Sequence, residues 1–525
     1  MRCASFVWVM QTPAYDTGRG RFGSLLARVR ERFHASRRPT TSAARDARRA
    51  ILGSGLFDRD YYLARYPEAG RSHRDPLDHY LEVGSLAGAN PNPMFDGDYY
   101  LESHPELRRL GVNPLLHYLR QGARDGSPPH PFFDPAAYVR RFPEARADST
   151  TPLRHYLDRR KARRRGSPGA PFRVRYVSGL TGYAAHGYRV LHHVAALREL
   201  HVDADVCRLE HVAASTDDVA DVDVIVLYRI AWSDEIERLV GAARSLGARV
   251  VYDTDDYVFD PEVANARHVD GLRFLTPDQL PEYARGIELY RRALLAADAA
   301  ILSTQTLADA VARLGRPAFV LRNGFDRGML ELSTALRTRP REPGPLRIGY
   351  ASGTMTHQKD FGVAATALTR ILARYEDVAL SVVGNLDVRE FPGLGAYAER
   401  IEHLPLVPHE ELPRSLARFD VNLAPLEVGN PYCEAKSNLK YFEAALLEIP
   451  TVASATQPFA EAIRSGENGF LATSDAEWEE SLAALVEDPA LRSAMGRRAR
   501  AHAEATYGPA AKVAAVRDVF LELSA

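Results

Sequence analysis

The sequence predicts an α/β protein in which two doubly wound parallel sheets follow a small all-α repeat region. Three observations predict this order. Short apolar runs alternate with amphipathic stretches from Arg173 onward, the alternation restarts after the Pro/Gly/Arg-rich segment 339–345, and a 38-residue pattern recurs before residue 158. Strand–helix alternation is typical of parallel sheets covered by helices on both faces. Two such sheets in tandem predict a ligand cleft at the carboxyl ends of their strands.

Composition and charge exclude several classes of protein. Lys+Arg number 67 and Asp+Glu number 68, so the chain is not a broadly basic nucleic-acid binder. The scattered cysteines Cys3, Cys207 and Cys433 form neither a disulfide framework nor a CxxC metal pair. No apolar run approaches the roughly 18 residues of a membrane span, and the run 4–10 is too short for a secretory signal. These features predict a cytoplasmic location.

Residues 1–50 are predicted to be a basic tail. Residues 1–56 hold eleven arginines against three acidic residues, and apolar side chains recur at helical spacing within 21–33. One interpretation is an amphipathic helix that lies on an anionic membrane surface, which would place the protein peripherally on the inner face of the membrane. The other is a solvated, partly disordered tail.

Residues 51–170 contain three copies of a 38-residue unit, followed by a linker. The recurring pairs are Phe57-Asp58, Phe95-Asp96 and Phe133-Asp134, and the recurring histidines are His79, His117 and His155. Each unit is expected to form two short helices that begin at cap residues, which are Asp58, Asp96 and Asp134 for the first helix and Asp75, Asn113 and Thr151 for the second. Gly84 and Gly122 are expected to end the second helix, and the third copy lacks this glycine. Such units cannot bury their aromatic side chains alone and should stack. The histidines are interpreted as structural hydrogen-bonding residues, with metal ligation as the alternative.

Nine strands are predicted in the two α/β halves, which span residues 171–338 and 346–505 and are followed by a C-terminal helix over 506–525. The predicted strands are 174–177, 222–227, 250–252, 299–302, 319–321, 347–350, 380–383, 421–424 and 451–453. A dinucleotide fingerprint is missing, because Gly179, Gly182 and Gly187 have the wrong spacing after the first strand. A P-loop motif is also missing, so a nucleotide must be held in another way.

The segment 430–443 is the richest candidate site. A polar loop is predicted to enter a helix near Ser437, where free backbone N–H groups and the helix dipole suit a diphosphate. Lys436 and Lys440 lie four residues apart and are candidates to face one anion, and Glu443 is a candidate acceptor for ribose hydroxyls. The chain has only five lysines, three of them in the second α/β half. Ordinary solvated charges are the alternative interpretation.

Residues 172–523 resemble the retaining GT-B glycosyltransferases of family 4 (glycosyl transferases group 1). The block from Glu434 to Glu443 looks like a variant of the family's Glu-x7-Glu motif, with further matches at 321–326, 348–353, 383–384, 419–425 and 466–471. Two positions depart from the pattern: Glu434 lies nine residues before Glu443, and Glu448 stands where the family commonly has glycine. The 38-residue units are similar to modules found beside bacterial glycosyltransferase domains.

The resemblance implies two Rossmann-like domains that face a cleft, and transfer of a sugar from a nucleotide-diphosphate sugar to a glycan or lipid-linked acceptor. It places this activity in bacterial surface polysaccharide or glycoconjugate synthesis, with no cofactor and no obligatory metal. Glu443 is then the ribose ligand, and Lys359 and Lys436 are diphosphate ligands. The donor-binding candidates are Asn323, Gly353, Lys359, Glu434, Lys436, Ser437, Asn438, Lys440 and Glu443.

The acceptor side is predicted at the acidic segment that follows the strand at 250–252. Asp253-x-Asp255 imitates the metal-binding pair of other glycosyltransferases, and a divalent ion held by these oxygens is one alternative. The interpretation preferred here is that these acids orient the acceptor hydroxyl; capping of the next turn is the third alternative. The catalytic candidates are Asp255, Asp256 and His357, and the acceptor-binding candidates are Gly182, Arg189 and Asp253. A protein of the same fold that binds sugar nucleotides or glycans as a scaffold, without turnover, is the alternative function.

Overall fold

The computed structural model describes residues 41–72, 75–130, 133, 135–146, 150–164, 173–180, 184–212, 222–337, 344–353 and 358–524. The predicted amphipathic segment 21–33, the candidates Gly182 and His357, and the cap candidate Asp134 lie outside the described residues. The chain divides into two compact units. The first comprises Met1–Pro171, Glu210–Val222 and Gly241–Ala248, and the second comprises Phe172–Leu209, Asp223–Val240 and Arg249–Ala525.

In the first unit, the described residues between 41 and 164 are mainly helical. Its α-helices are Thr41–Ser54, Arg59–Arg65, Glu68–Ser72, Pro76–His79, Gly97–Ser103, Pro105–Leu110, Pro114–His117, Pro135–Arg141 and Pro152–Arg164, with π-helical turns at Tyr80–Gly84 and Tyr118–Gly122 and a 3-10 helix at Pro143–Arg146. Two further helices, Leu209–Val212 and Asp234–Ser245, contain residues assigned to both units.

The cap residues predicted for these helices accept backbone hydrogen bonds where they are described. Asp58 and Asp96 accept from the N–H groups of Tyr61 and Tyr99, each at 3.1 Å. The second helices repeat the pattern: Asp75, Asn113 and Thr151 accept from Leu77, Leu116 and Arg154, also at 3.1 Å. An N-cap of this kind stabilises a helix by about 1 kcal/mol. The cap predictions at these five positions are therefore confirmed.

Each recurring histidine forms a hydrogen bond with a tyrosine of the same copy, and this bond is buried in the first copy and partly buried in the other two. The Nδ1 atoms of His79, His117 and His155 lie 2.9, 3.0 and 3.0 Å from the hydroxyl groups of Tyr62, Tyr100 and Tyr138. Every pair is separated by 17 residues. The histidines thus have the structural role that the sequence predicted.

Gly84 and Gly122 end the second helical segments, as predicted, but not through a left-handed conformation of their own. Each ends a π-helical turn, but the left-handed residues that follow are Gly88 and Gly126, with φ of 83° and 76°. A Cβ atom at Gly84 would overlap the hydroxyl of Tyr62. The glycine therefore makes room for the buried tyrosine. The third copy, which lacks it, continues as the helix Pro152–Arg164.

We predict that Gly84→Ala destabilises the protein by about 1–3 kcal/mol, since the added methyl group forces the packed Tyr62 ring to move. Thermal or urea unfolding measures the change. Gly53→Ala is the matched control, because a Cβ atom there meets nothing within 4 Å. An equal, small effect of both substitutions would contradict the close approach.

The buried side chain of His130 is expected to make the stability of the protein depend on pH. It occupies the position of Asn92 in the preceding copy, and burial lowers its pKa to about 4. The unfolded chain then binds one more proton than the native chain below about pH 6.5, so stability falls as the pH drops from 6.5 towards 4. We expect His130→Asn to remove about 2 kcal/mol of the loss between pH 6.5 and 5.0, at roughly 1.4 kcal/mol per pH unit. Urea unfolding of both proteins at the two pH values tests this, and identical slopes would refute it.

The described part of the second unit contains twelve strands in two six-stranded sheets, and every pairing is parallel. The first sheet has the order β2-β1-β3-β4-β5-β6 and the second β12-β11-β10-β7-β8-β9. The strands are β1 Arg173–Ser178, β2 Asp203–Arg208, β3 Val224–Tyr228, β4 Arg249–Thr254, β5 Ala299–Leu302, β6 Ala318–Val320, β7 Leu346–Ser352, β8 Val378–Gly384, β9 Ile401–Leu404, β10 Val421–Ala424, β11 Thr451–Ser454 and β12 Phe470–Ala472.

Helices lie between these strands. The α-helices are Ala184–His186, His192–Glu199, Gln279–Ala296, Gln305–Arg313, Arg327–Arg337, Gln358–Arg374, Leu412–Leu416, Pro431–Glu434, Leu439–Ala445, Gln457–Ala462, Asp475–Glu487, Pro489–Tyr507 and Pro509–Ser524. A π-helical turn spans Gly187–Leu191, and 3-10 helices span Asp270–Phe274, Val388–Glu390, Pro392–Arg400 and His409–Glu411.

Each sheet has its own apolar core. The core of the first sheet includes Val174, Val226 and Ile301, and the last helix of the chain adds Val516 and Phe520 to it. Burying one such side chain stabilises the fold by about 1.5–3 kcal/mol. The last helix therefore packs against the first sheet. Among the described residues, no helix is both long and apolar enough to cross a membrane.

Candidate functional site

The candidate donor loop follows β10 at the carboxyl edge of the second sheet. Asn430 caps the short helix Pro431–Glu434 by accepting from the N–H of Tyr432 at 3.0 Å. The next helix spans Leu439–Ala445, so it begins two residues beyond Ser437. Lys436 and Ser437 therefore lie in the turn between the two helices.

Lys436 is paired with a buried carboxylate. Its Nζ lies 2.8 Å from Oδ2 of Asp360, in the first turn of the helix Gln358–Arg374. The side chains are 16% and 4% exposed. Burial lowers the pKa of Lys436 and the Asp360 carboxylate raises it, with an upward shift as the result. Lys436 thus keeps its charge at the edge of the site.

Lys440 approaches the same strand–helix junction from the following turn. Its Nζ donates to the carbonyl oxygen of Ala351, at 2.6 Å, and lies 5.2 Å from the centre of the Tyr350 ring. Burial lowers the pKa of Lys440; the charge of Lys436 adds to this shift and the carboxylate of Glu443 opposes it. Lys436 and Glu443 are therefore both close enough to Lys440 to act on its charge, although the two lysines have different partners.

Glu443 receives a hydrogen bond from the first half of the unit. The hydroxyl of Tyr188 donates to its Oε1 at 2.6 Å, while the Glu443 side chain stays partly exposed. Tyr188 itself is fully buried. The carboxylate is thus fixed on one side and accessible for a second partner.

Ser437 is reached through a chain of hydrogen bonds that starts at Arg189. The guanidinium of Arg189 donates to Oδ1 of Asn323 at 3.2 Å, and Nδ2 of Asn323 donates to Oγ of Ser437 at 3.0 Å. Arg189 also donates to the carbonyl of Leu321. Asn323 therefore bridges the first half and the donor loop.

Two donor candidates are engaged in structural contacts. Both carboxylate oxygens of Glu434 accept backbone N–H groups, from Gly429 at 2.9 Å and from Gln457 at 3.0 Å. Asn438 is buried and donates to the hydroxyl of Tyr507 at 2.7 Å and to the carbonyl of Pro458 at 3.1 Å. In this arrangement both residues hold the loop in place.

Gly353 and Lys359 lie at the carboxyl end of β7 and in the following helix. Both are exposed. The backbone N–H of Lys359 donates to Oδ2 of Asp270 at 3.1 Å. The Lys359 side chain is therefore accessible to an anionic ligand.

Asp253 and Arg189 form a buried ion pair. Nε of Arg189 lies 2.8 Å from Oδ1 of Asp253, and both side chains are 0% exposed. Burial raises the pKa of Asp253 to about 6, and Arg189 opposes this shift. An acceptor molecule cannot touch either side chain in this arrangement, so the structure places both behind the site surface rather than on it.

Asp255 and Asp256 share one arginine. Nε of Arg229 lies 3.0 Å from Oδ1 of Asp255, and its Nη2 pairs with Asp256. Arg229 has φ of 47°, a left-handed conformation that is strained for a residue with a side chain and is typical of functional sites. The Asp256 side chain is 35% exposed, against 8% for Asp255. Of these two acids, Asp256 is thus the one that can meet a ligand.

The metal alternative finds little support in these contacts, because Asp253 and Asp255 are each neutralised by a guanidinium group. The one group of potential ligands found among the described residues is Asp360, Glu427 and Cys433, whose ligand atoms lie within 4.8 Å of one another. Asp360 there already binds Lys436, and the Cys433 thiol donates to Asp360 at 3.2 Å. Burial raises the pKa of Cys433, which disfavours the thiolate that a metal needs.

Glu448 occupies the position at which the resembled family commonly has glycine. It has φ of 58°, in the left-handed region where glycine is favoured. Its side chain accepts from Nη1 of Arg337 at 2.8 Å. Glu448 therefore adopts a backbone conformation that glycine would adopt with less strain.

Sequence reasoning missed three partners of the predicted residues: Arg229, Asp270 and Asp360. Arg229 directly follows a wholly apolar strand, and Asp360 directly follows Lys359. A charged residue at the carboxyl end of a predicted strand is a signal that could have identified Arg229. Asp270 has no comparable signal, because it lies in a 3-10 helix of a long connection.

Comparisons with known proteins give one family match. Residues 365–518 match a family described as glycosyl transferase-like, and this segment contains Lys436, Lys440 and Glu443. The search of curated protein sequences gives no match. Together the two parallel six-stranded sheets form the GT-B fold of two Rossmann-like domains.

Three similar solved structures illustrate the likeness. Anabaena Alr3699/HepE in complex with UDP and glucose is 16% identical, with 67% of this chain and 100% of that chain covered and a TM-score of 0.47. Sucrose-phosphate synthase from Thermosynechococcus elongatus is 14% identical, with 67% and 99% covered and a TM-score of 0.46. A glycosyltransferase from Rickettsia africae is 12% identical, with 67% and 98% covered and a TM-score of 0.45.

Proposed function

We propose that the protein is a glycosyltransferase that moves a sugar from a nucleotide-diphosphate sugar to a glycan or lipid-linked acceptor. The observation that carries the proposal is the charged group at the edge of the second sheet. Lys436, Lys440 and Glu443 lie there in one short segment, inside the residues that match a glycosyl transferase-like family. Two ammonium groups suit a diphosphate, and a carboxylate that is open on one side suits ribose hydroxyls.

The proposed chemistry is a retaining transfer. The acceptor oxygen forms a bond to the anomeric carbon as the bond from that carbon to the diphosphate breaks, and a phosphate oxygen of the donor takes the acceptor proton on the same face. Negative charge grows on the departing diphosphate, and Lys359 and Lys436 are the proposed residues that stabilise it. Family 4 membership is part of this proposal.

Asp256 is the proposed residue for orienting the acceptor hydroxyl. Its side chain is 35% exposed, and Arg229 holds it in place. Asp255 supports the same arginine from the buried side. His357 stays a candidate from the sequence alone.

A thermal-shift screen with UDP-, GDP-, ADP- and dTDP-sugars tests the donor proposal. A ligand present at 100 times its Kd stabilises the folded protein by about 2.7 kcal/mol, so the true donor should raise the unfolding midpoint clearly. Free sugars serve as controls, since they lack the diphosphate. If no sugar nucleotide or nucleoside diphosphate shifts the midpoint, the donor site is not where we place it.

A binding protein without turnover is the second candidate function. It is favoured by Glu434, whose two carboxylate oxygens are occupied by backbone N–H groups and whose spacing to Glu443 departs from the family motif. Such a protein would bind a sugar nucleotide but would release neither free nor transferred sugar. Chromatographic detection of nucleoside diphosphate release separates the two candidates.

The cellular role proposed is bacterial surface polysaccharide or glycoconjugate synthesis in the cytoplasm, with peripheral attachment to the inner face of the membrane. The basic segment 21–33 supports the membrane contact through its sequence only. Binding of the full chain to vesicles that contain an anionic lipid, with neutral vesicles as the control, tests this part.

We predict that a chelator leaves transfer unchanged. The reason is that Lys359, Lys436 and Lys440 supply positive charge, while Asp253 and Asp255 are engaged by Arg189 and Arg229. Rates with and without excess EDTA measure this. Complete loss of activity that Mn²⁺ or Mg²⁺ restores would revive the metal site at the two aspartates.

A further inference from the structure

One helical turn of the first α/β half contacts the candidate donor site in the second α/β half. The π-helical turn Gly187–Leu191 connects the helices Ala184–His186 and His192–Glu199. Turns of this kind insert an extra residue into a helix and occur frequently at functional sites. Its neighbouring side chains Tyr188 and Arg189 are both fully buried.

Tyr188 is embedded in residues of the second half. Its hydroxyl donates to Oε1 of Glu443 at 2.6 Å. Its ring packs edge-on against His409 and Phe442, with centroid distances of 4.7 and 5.8 Å. Burial, then the Glu443 carboxylate, raises the pKa of Tyr188 well above its ordinary value. The phenol therefore stays protonated and remains a hydrogen-bond donor.

Arg189 gives the same turn a second connection. It donates to Asn323, which in turn donates to Ser437 beside Lys436. The turn thus contacts the donor segment at two places: Arg189 reaches Ser437 through Asn323, and Tyr188 binds Glu443 directly. The turn therefore spans the segment that we assign to the diphosphate and the ribose.

We propose that Tyr188 is a positioning residue for donor binding, which acts by fixing the Glu443 carboxylate. The inference rests on the proposed function. A carboxylate with one oxygen held by a phenol keeps its other oxygen aimed at a ligand, whereas an unfixed side chain must lose rotational freedom when the ligand binds. The first half of the protein thereby contributes to a site that belongs to the second.

A double-mutant cycle between Tyr188→Phe and Glu443→Gln tests the proposal in the full chain. The probe is the Kd of UDP, GDP, ADP and dTDP, each titrated in parallel by calorimetry, and the tightest binder is used for all variants. We expect Tyr188→Phe to raise this Kd about tenfold, as for a lost hydrogen bond to a charged group. The double variant should bind about as weakly as Glu443→Gln alone, because Tyr188 is proposed to act only through the Glu443 carboxylate, which Glu443→Gln removes.

Tyr252→Phe is the matched control. Tyr252 is also fully buried in the first half, and its hydroxyl donates to the backbone carbonyl of Ile230 at 3.4 Å. Tyr252→Phe should lower the unfolding midpoint by no more than Tyr188→Phe does, and it should leave the Kd unchanged. A loss of affinity equal to that of Tyr188→Phe would mean that a general loss of packing is responsible, and would overturn the positioning role.

The possible results distinguish a failure of the positioning role of Tyr188 from a failure of the proposed donor site. If Glu443→Gln weakens binding but Tyr188→Phe does not, Tyr188 has no positioning role and the donor site is retained. The same conclusion follows if the increase in Kd of the double variant is the product of the increases in the two single variants. If Glu443→Gln leaves the Kd unchanged, both proposals fail. Should Tyr188→Phe not fold, Glu443→Asp withdraws the carboxylate from the phenol and keeps its charge; we expect a similar tenfold loss, and wild-type affinity would refute the inference.

Discussion

Glu443→Ala is expected to reduce transfer by roughly 10- to 100-fold while the protein stays folded. The lost contact is a hydrogen bond between a charged group and a donor hydroxyl, which is worth about 1.5–3 kcal/mol. The side chain is partly exposed, so its removal leaves no buried cavity. The buried Tyr188 hydroxyl loses its acceptor, which should lower the stability by about 1–3 kcal/mol without unfolding the protein. Steady-state kinetics with the donor found in the thermal-shift screen measure the effect, which should fall mainly on the KM for the donor.

Glu461→Ala is the matched control for this substitution. Glu461 is also an acidic residue of the second half, and it pairs with Arg322 at the surface, with the two side chains 36% and 48% exposed. A surface pair of this kind contributes about 1 kcal/mol or less to stability and has no place in the proposed site. Equal kinetics for Glu443→Ala and Glu461→Ala would remove Glu443 from the donor site.

Lys436→Met is expected to lower both transfer and stability. A lysine on a polar loop, where the sequence places Lys436, can usually be truncated without loss of the fold. The structure alters this expectation, because the Asp360 carboxylate would lose the cation that balances its charge while its side chain is only 4% exposed. Removing one partner of a buried ion pair typically costs about 3–5 kcal/mol. Urea unfolding and donor kinetics together measure the two effects.

The double variant Lys436→Met/Asp360→Asn separates stability from function. With the carboxylate also neutralised, most of the lost stability should return, but transfer should stay low because the diphosphate still lacks a cation. Lys440→Met should cost less stability than Lys436→Met, since the Lys440 ammonium donates to a backbone carbonyl. Recovery of transfer in the double variant would show that Lys436 serves only to neutralise Asp360.

The nine predicted strands are all present, and the three that were missed lie at sheet edges. They are β2, β9 and β12. A central strand of a parallel sheet is buried on both faces and reads as a continuous apolar run, as β3 does with Val-Ile-Val-Leu-Tyr. An edge strand such as β2, Asp-Ala-Asp-Val-Cys-Arg, is partly exposed and carries charges, so its pattern resembles a loop. Hydrophobicity alone cannot identify such a strand.

The spacing of residues alone pointed only to the part of the candidate site whose residues are neighbours in sequence, and Asn323, Gly353 and Lys359 were added through the family resemblance. Lys436, Lys440 and Glu443 lie within one short segment, and their spacing indicated a common ligand. Their partners are distant: Asp360 precedes Lys436 by 76 residues, and Tyr188 precedes Glu443 by 255. Periodicity tells which side of an element is buried, but it does not tell which element covers it. For the same reason Arg189 was expected at the acceptor, although it lies in a buried ion pair with Asp253.

The central claim, that the charged group around Glu443 serves sugar transfer, is tested most directly by product formation. The purified full chain is incubated with the sugar nucleotide that stabilises it, and release of nucleoside diphosphate is followed by chromatography beside the Glu443→Ala variant. The account predicts slow hydrolysis by the wild type without an acceptor, faster release with a suitable glycan or lipid-linked acceptor, and roughly 10- to 100-fold less with the variant. Tight binding with no release under any of these conditions would contradict a transferase and identify the protein as a sugar-nucleotide-binding scaffold.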